Sequence, residues 1–384
     1  MAVSAAVHTP SDVVAAVDAA VGNQIAPAAA EIDRSGAYPR ADVEALAAAG
    51  ALGLLSASEM GGAGGSLAEV VAALESIARA DASTAMILLM HYAAVSVIEP
   101  HGPEPVRREI AEGRHVSTLA FSERGSRSHF WAPVSTATAV EDGVRLDAAK
   151  SWVTSAGEAD SYVWSSRAVA EDGPMTLWLV PATTPGIAVT GTFDGFGLRG
   201  NASAPMGADG AVVPASARLG TDGAGLDVAL GSVLPTFLIG NAAVSLGLME
   251  ALVEEAAGHL TATRLEHLDQ RLADQQPSRL AFAALKTRVD ATRAFLADTL
   301  SALAAGRPDA TLRVLQVKAV AAEAAAEVAD GVMRLCGGAA FRKELGIERR
   351  YRDALAARVM APTTDALHDF IGRAALGLPL FGGA

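Results

Sequence analysis

The chain has 384 residues, 51% of them hydrophobic, and a formal net charge of -13. That length can bury a large core over two or three domains, and an acidic balance without a basic cluster argues against nucleic-acid binding. Cys336 is the only cysteine and the eight histidines show no metal-ligand spacing, so neither a disulfide nor a metal centre is expected, and the compartment is read as reducing and cytoplasmic.

The amino terminus lacks a basic segment followed by an apolar run, so no signal peptide is expected. Ser11 is placed to cap a first helix, in which Val13, Val14, Val17 and Val21 recur at helical spacing. Ala41 to Leu55 reads as a second helix, running to the loop Gly61-Gly62-Ala63-Gly64-Gly65. Ser66-Leu67-Ala68-Glu69 is a capping box and fixes the start of a helix carrying Val70, Val71, Leu74 and Ile77. A nearly uncharged helix follows from Ala82 to Ile98, with His91 and Tyr92 inside it, until Pro100, Gly102, Pro103 and Pro105 break it. A short helix, Pro105 to Ala111, closes this arm.

The pattern then changes to strand. An apolar run from Val116 stops at Ser122-Glu123 and passes a small-residue turn. It resumes as the alternating stretch Val134 to Val140 and turns at Glu141-Asp142-Gly143. Val144 to Leu146 reads as a second strand and leads to Lys150-Ser151-Trp152-Val153-Thr154-Ser155. Further strands are expected at Tyr162 to Val169, Met175 to Val180 and Ile187 to Thr190. Pro214 to Gly225 reads as a boundary.

Beyond it the sequence predicts helices over Leu226 to Thr263, Ser278 to Ala304, Ala310 to Leu335, Arg349 to Val359 and Thr363 to Ala375. Val228 to Met249 is uncharged and long enough to cross a bilayer. Pro235, Asn241, Ser232, Ser245 and its glycines make it a core helix instead, so no membrane association is expected.

Two motifs in the β island resemble the acyl-CoA dehydrogenase family. Its members carry a Thr-Glu-Pro-x-x-Gly-Ser-Asp turn and, downstream, a Trp-Ile-Thr-Asn motif. Here these read Ser122-Glu123-Arg124-Gly125-Ser126-Arg127-Ser128-His129 and Trp152-Val153-Thr154-Ser155. The resemblance implies an α+β fold with an N-terminal all-α domain (1–115), a middle β-barrel-like domain (116–220) and a C-terminal four-helix bundle (221–384). It also implies bound FAD, with FMN as the alternative. Ser122 and Ser128 match hydroxyls on the flavin ring and pyrophosphate, while Trp152 and Thr154 match residues along the isoalloxazine and at its N5 edge. Arg264 and Gln275, eleven residues apart, match further cofactor contacts, although the family's Phe-Gly is His267-Leu268 here. Cys336-Gly337-Gly338 resembles the Gln-x-x-Gly-Gly segment that meets a neighbouring subunit's cofactor, with Arg334 at the glutamine position. Ile347 to Ala354 resembles Pro-x-Glu-Arg-x-x-Arg-Asp-Ala.

The resemblance implies an oxidoreductase acting at the α,β position of an acyl thioester, carried by CoA or a carrier protein. Yet the family's catalytic glutamate falls on Ala361, beside a retained Thr363 counted with the cofactor residues. A second location used by some members falls near Phe237, and the Asp-x-x-Arg that meets CoA is Pro235 and Leu238. Tyr92, Phe237 and Ala361 are therefore expected to line the substrate pocket, and His91 and His129 are the candidate replacement bases. Asp365 reads as a helix-start carboxylate. Two other readings stay open: a flavin-dependent monooxygenase on the same fold, and a base-less partner subunit of a heteromeric dehydrogenase. The family also implies a homotetramer or homodimer, with the apolar surface of Leu312 to Leu335 as interface, and an electron-transferring flavoprotein as acceptor.

Overall fold

A computed structural model describes residues 9–126, 129–170 and 173–381. Helix α1 (Pro10–Ala20) starts two residues before the position expected for Ser11's helix, because Thr9 and Asp12 form a reciprocal capping box and Pro10 has no N–H to satisfy. A π-helical turn, Val21–Ile25, carries the chain into α2 (Ala26–Ser35). Helix α3 (Arg40–Ala48) ends earlier than the expected Leu55, since Gly50 takes a left-handed φ of 78° and turns the chain inward. The capping box at Ser66 starts α4 (Leu67–Ala80) as expected. Asp81 caps α5 (Ala82–His101) through a 2.8 Å bond from the Thr84 N–H, and α5 continues past Pro100 to its last turn. Helix α6 (Glu104–Ala111) completes this arm.

The β region forms two four-stranded sheets. In one, β1 (Ser117–Ala120) pairs parallel with β4 (Ser161–Ser166), which pairs antiparallel with β5 (Thr176–Pro181) and then β8 (Arg218–Leu219). In the other, β2 (Thr136–Val140), β3 (Gly143–Val153), β7 (Ala204–Val213) and β6 (Ile187–Val189) lie in that spatial order. Strand β3 is one continuous strand rather than a short piece with a tail, because β7 pairs along it with two register shifts. Alternation divides β4 and β5 between two cores. Tyr162, Trp164 and Trp178 pack with Leu146 and Val144 between the sheets, whereas Val163, Leu177 and Leu179 join the helical core.

The chain then enters α7 (Gly225–Val228), a π-helical turn (Ala229–Val233) and α8 (Leu234–Ala262). The most apolar window of Gly225–Ala262 is 94% buried inside the protein, so its greasy surface is used against α4, α5 and the helices that follow. A small hairpin of β9 (Arg264–Leu265) and β10 (Gln270–Arg271) leads to α9 (Gln276–Ala304) and α10 (Ala310–Cys336). The apolar face of α10, expected as a subunit interface, is instead filled within the chain: Val314, Leu315, Val317, Val328 and Val332 are buried in the core it shares with α8. The chain ends in α11 (Ile347–Ala354), α12 (Ala356–Val359) and α13 (Thr364–Ala375).

The Ile347 to Ala354 motif is a clasp between the chain's two ends. Arg349 donates to the Ala80 carbonyl at 3.0 Å beside Asp81, and Arg352 forms a fork on Asp33 of α2 at 2.8 and 2.6 Å. Asp353 accepts the Leu198 N–H at 2.6 Å. Burial, opposed by that bond and reinforced by Asp81, pushes the Asp353 carboxyl up to about 7. A carboxyl raised in the fold favours the native state at low pH and loses that contribution as pH climbs through the folded value. Stability of the wild type should therefore fall between about pH 4 and pH 7, by at most about 1.4 kcal/mol per pH unit from this group. Asp353→Asn, measured by urea unfolding across that window, should give a flatter profile.

Candidate functional site

The candidate site starts from a buried ion pair. Glu123 and Lys150 lie opposite each other in an antiparallel bridge, and Lys150 Nζ reaches Glu123 Oε1 at 2.5 Å with both side chains sealed from water. Lys150 also donates to the Ser165 carbonyl at 2.7 Å and to its hydroxyl at 2.9 Å, and lies over the Trp164 ring. Glu123 accepts from the Ser135 N–H at 3.0 Å, and also from the Val134 N–H and the Ser135 hydroxyl. Burial pulls the ammonium down to about 8, with Glu123 opposing. Burial likewise resists charge on Glu123, but Lys150 and the hydrogen bonds hold it below the usual carboxylate range. With every donor and acceptor matched, both groups are ionised at neutral pH.

That pair fastens the turn after β1 onto β3. The Arg124 N–H donates to Ala149 O at 3.0 Å, and the Ser151 N–H to Ser122 O at 2.9 Å, which puts the half-buried Ser122 alongside the end of β3. In a regular strand Lys150 and Trp152 would share a face. Here the register slips between Lys150 and Val153, and Trp152 takes a left-handed φ of 56°, so the lysine stays inside while the indole is 70% exposed. A bulky residue in that conformation costs about 1–3 kcal/mol, a strain that recurs where side chains are aimed at ligands. Phe193 meets the indole edge-on at 6.5 Å.

The other expected cofactor residues have varied surroundings. Ser128 lies outside the described residues. Thr154 is buried, with its hydroxyl 3.1 Å from that of Ser203. Thr363 acts as the N-cap of α13, accepting from the Ala366 N–H at 3.3 Å. Arg264 and Gln275 sit together beside the β9–β10 hairpin, where Arg264 pairs with Asp269 and Gln275 with Gln270. Arg334 is exposed and pairs with Asp330 at 3.5 Å. Gly337 and Gly338 follow it at the end of α10, Gly337 with a φ of 57°, and a Cβ on either would meet nothing within 4 Å. Among the described residues, no hydrogen bond or ring contact joins these carboxyl-half residues to Trp152.

The two histidines separate clearly. His91 is fully buried, accepting the Ser117 N–H on Nδ1 at 3.1 Å and donating from Nε2 to Leu52 O at 3.0 Å. Burial drives it down to about 4, so it is neutral and committed to the backbone of the turn after α3. This removes His91 as a candidate base. Tyr92 is likewise sealed in the core, its hydroxyl donating to Ala51 O at 2.9 Å, and is not a pocket residue. His129 is exposed, with Nδ1 donating to Ser126 O at 2.9 Å. It lines a cavity of about 530 Å³ with Trp131, Phe370, Phe381 and the Arg373–Asp369 pair. No sequence motif marked that cavity; His129 entered as a candidate base.

Phe237 is buried on α8, and Ala361 is half-buried between Met360 and Pro362, with no recorded acceptor for its N–H among the described residues. Beneath this segment lies a residue that sequence reading missed. Lys318 of α10, fully buried, donates to Ala357 O at 2.8 Å, Met360 O at 3.0 Å and Pro362 O at 2.8 Å. Its signal was a single cation amid Val314 to Ala322, where no charge elsewhere in the run offers it a solvated face.

Comparison with known proteins accords with this geometry. Residues 10–113, 118–210 and 223–376 match the models of the acyl-CoA dehydrogenase N-terminal, middle and C-terminal domains. The chain is 27% identical to the mitochondrial short-chain specific acyl-CoA dehydrogenase of Homo sapiens, over 89% of this chain and 84% of that protein. It is 26% identical to an acyl-CoA dehydrogenase of Bacillus subtilis, over 92% and 94%. Among solved structures, butyryl-CoA dehydrogenase from Megasphaera elsdenii superposes with a TM-score of 0.89 at 23% identity, covering 96% of this chain and 98% of that one. PigA with FAD and proline superposes with a TM-score of 0.88 at 19% identity, covering 96% and 97%.

The ion pair gives a direct test of how the site is held. Lys150→Met leaves a buried carboxylate without its cation and should destabilise the protein by about 3–5 kcal/mol. The double variant Glu123→Gln/Lys150→Met should recover part of that loss, as read from urea unfolding midpoints.

Proposed function

We propose that this chain, which belongs to the acyl-CoA dehydrogenase family, is an FAD-dependent oxidoreductase acting on the α,β carbons of an acyl thioester without the family's glutamate base. The observation that carries the reading is Trp152, an indole turned out of a strand at the cost of backbone strain, next to the Ser122 turn that a buried ion pair fastens in place. An exposed aromatic face flanked by a hydroxyl suits an isoalloxazine ring, so the residues present fit the cofactor. FAD, when bound, supplies the two-electron acceptor.

Ser122, Ser128 and Trp152 would hold the ring and its phosphates, with Thr154 at the ring edge once its hydroxyl leaves Ser203. Arg264, Gln275, Arg334 and the open backbone at Gly337–Gly338 would grip the cofactor of a neighbouring copy in a homodimer or homotetramer. A site for an adenine-bearing half favours FAD over FMN. The Ala361 N–H, without an acceptor among the described residues, would donate to the thioester carbonyl and stabilise negative charge building on that oxygen. With alanine in the glutamate position, the substrate must bring an acidic α-proton or find another acceptor, and His129 is the remaining candidate. A cytoplasmic setting and an electron-transferring flavoprotein as electron acceptor follow from the same reading.

The purified protein should take up FAD on titration, with loss of Trp152 emission that Trp152→Ala abolishes. Anaerobic mixing with acyl-CoAs, beginning with butyryl-CoA, should bleach the flavin slowly. Ala361→Glu should raise that rate by about 100-fold or more, the usual contribution of a placed general base. Oxygen consumption with reduced flavin and no bleaching would favour a monooxygenase, and failure to take up FAD would favour a base-less partner subunit.

A further inference from the structure

Among the described residues Lys318 has no carboxylate partner. It has 0% exposure, and its recorded contacts are the carbonyls of Ala357, Met360 and Pro362, each within 3.0 Å. An ammonium has three N–H donors and a neutral amine only two, so the full set of bonds requires the charged form. Burial opposes that charge and pulls the group down to about 7, but the three acceptors surround the nitrogen with the negative ends of peptide dipoles. A buried charge retained in this way concentrates its field on one short segment, from Ala357 to Pro362.

Within that segment the Met360 carbonyl and the Ala361 N–H belong to the same peptide unit. A planar trans peptide sets its C=O and N–H on opposite sides, so a cation bonded to the carbonyl withdraws electron density from an N–H directed away from it. That N–H has no recorded acceptor among the described residues. Hydrogen bonds in series polarise one another, and the effect is strongest where water is excluded.

We propose that Lys318 is a positioning residue for the thioester site, whose buried ammonium polarises the Met360–Ala361 peptide and strengthens the Ala361 N–H as a donor to the substrate carbonyl. The inference rests on the acyl-thioester reading given above. It explains why a charge without a counterion is kept under a segment that lacks a carboxylate base. Removing the base leaves stabilisation of the developing enolate as the main help the chain offers, and the lysine reinforces it. Lys318 touches neither substrate nor cofactor; it acts through one peptide bond.

The test uses FAD-loaded protein and 3-thiabutyryl-CoA labelled with ¹³C at the carbonyl, a thioester whose β-sulfur prevents dehydrogenation. In the wild type the bound carbonyl stretch should move to lower frequency than in solution. Lys318→Gln, neutral but still a donor, should lose at least half of that shift while affinity for the analogue changes less than threefold. Its turnover should fall about tenfold in kcat with KM nearly unchanged. Lys318→Arg, which keeps the charge, should retain the shift and serves as the second variant if the glutamine protein fails to fold. An unchanged shift in Lys318→Gln, or a lost shift in a folded Lys318→Arg, overturns the inference alone. Absence of any shift or binding in the wild type overturns the acyl-thioester reading, and the inference with it.

Discussion

The Glu123–Lys150 pair is the constraint on which the rest of the site depends. Without it the turn from Ser122 to Ser126 would be joined to the sheet only by scattered backbone bonds, and nothing would oblige β3 to keep Lys150 inside while releasing Trp152. Taking two charges out of water is costly, and a well-packed apolar pair of the same size would often be no less stable. What the ion pair adds is register: Lys150 cannot slip by one residue without stranding its charge, so the bulge that follows it is fixed in place.

Much of this was visible in the sequence. The capping box at Ser66, the two helical arms and the β island all follow local rules, and the spacing from Ser122 to Trp152 pointed to this stretch as the candidate site. What failed was information that is not local. Strand β7 is rich in alanine and glycine, so it carries little alternation, and it is defined by its pairing with β3 and β6. His91 looked like a lone titratable group in an apolar helix. Its role comes from a turn some forty positions earlier, whose carbonyls it and Tyr92 satisfy. Glu123 and Lys150 stand in or beside the two family motifs, but nothing in the sequence pairs them, because their pairing exists only once the bridge forms.

The same contrast applies to the glutamate position. A sequence comparison sees Ala361 as a deletion of chemistry. In the fold this segment is stapled by Lys318 and flanked by Thr363 as a helix cap, and among the described residues the Ala361 N–H has no acceptor. On the proposed reading, loss of a proton acceptor and retention of a free amide donor are separable events. A protein can keep the second while changing the kind of substrate it serves.

The clasp formed by Arg352 on Asp33 joins residues 319 positions apart. During synthesis from the amino end, α2 emerges 319 residues before its guanidinium partner. Until then the first helical layer must persist without its fastening, open to chaperones and to premature association. Truncation ahead of Arg352 would thus be felt in α2, a helix that such a lesion never touches.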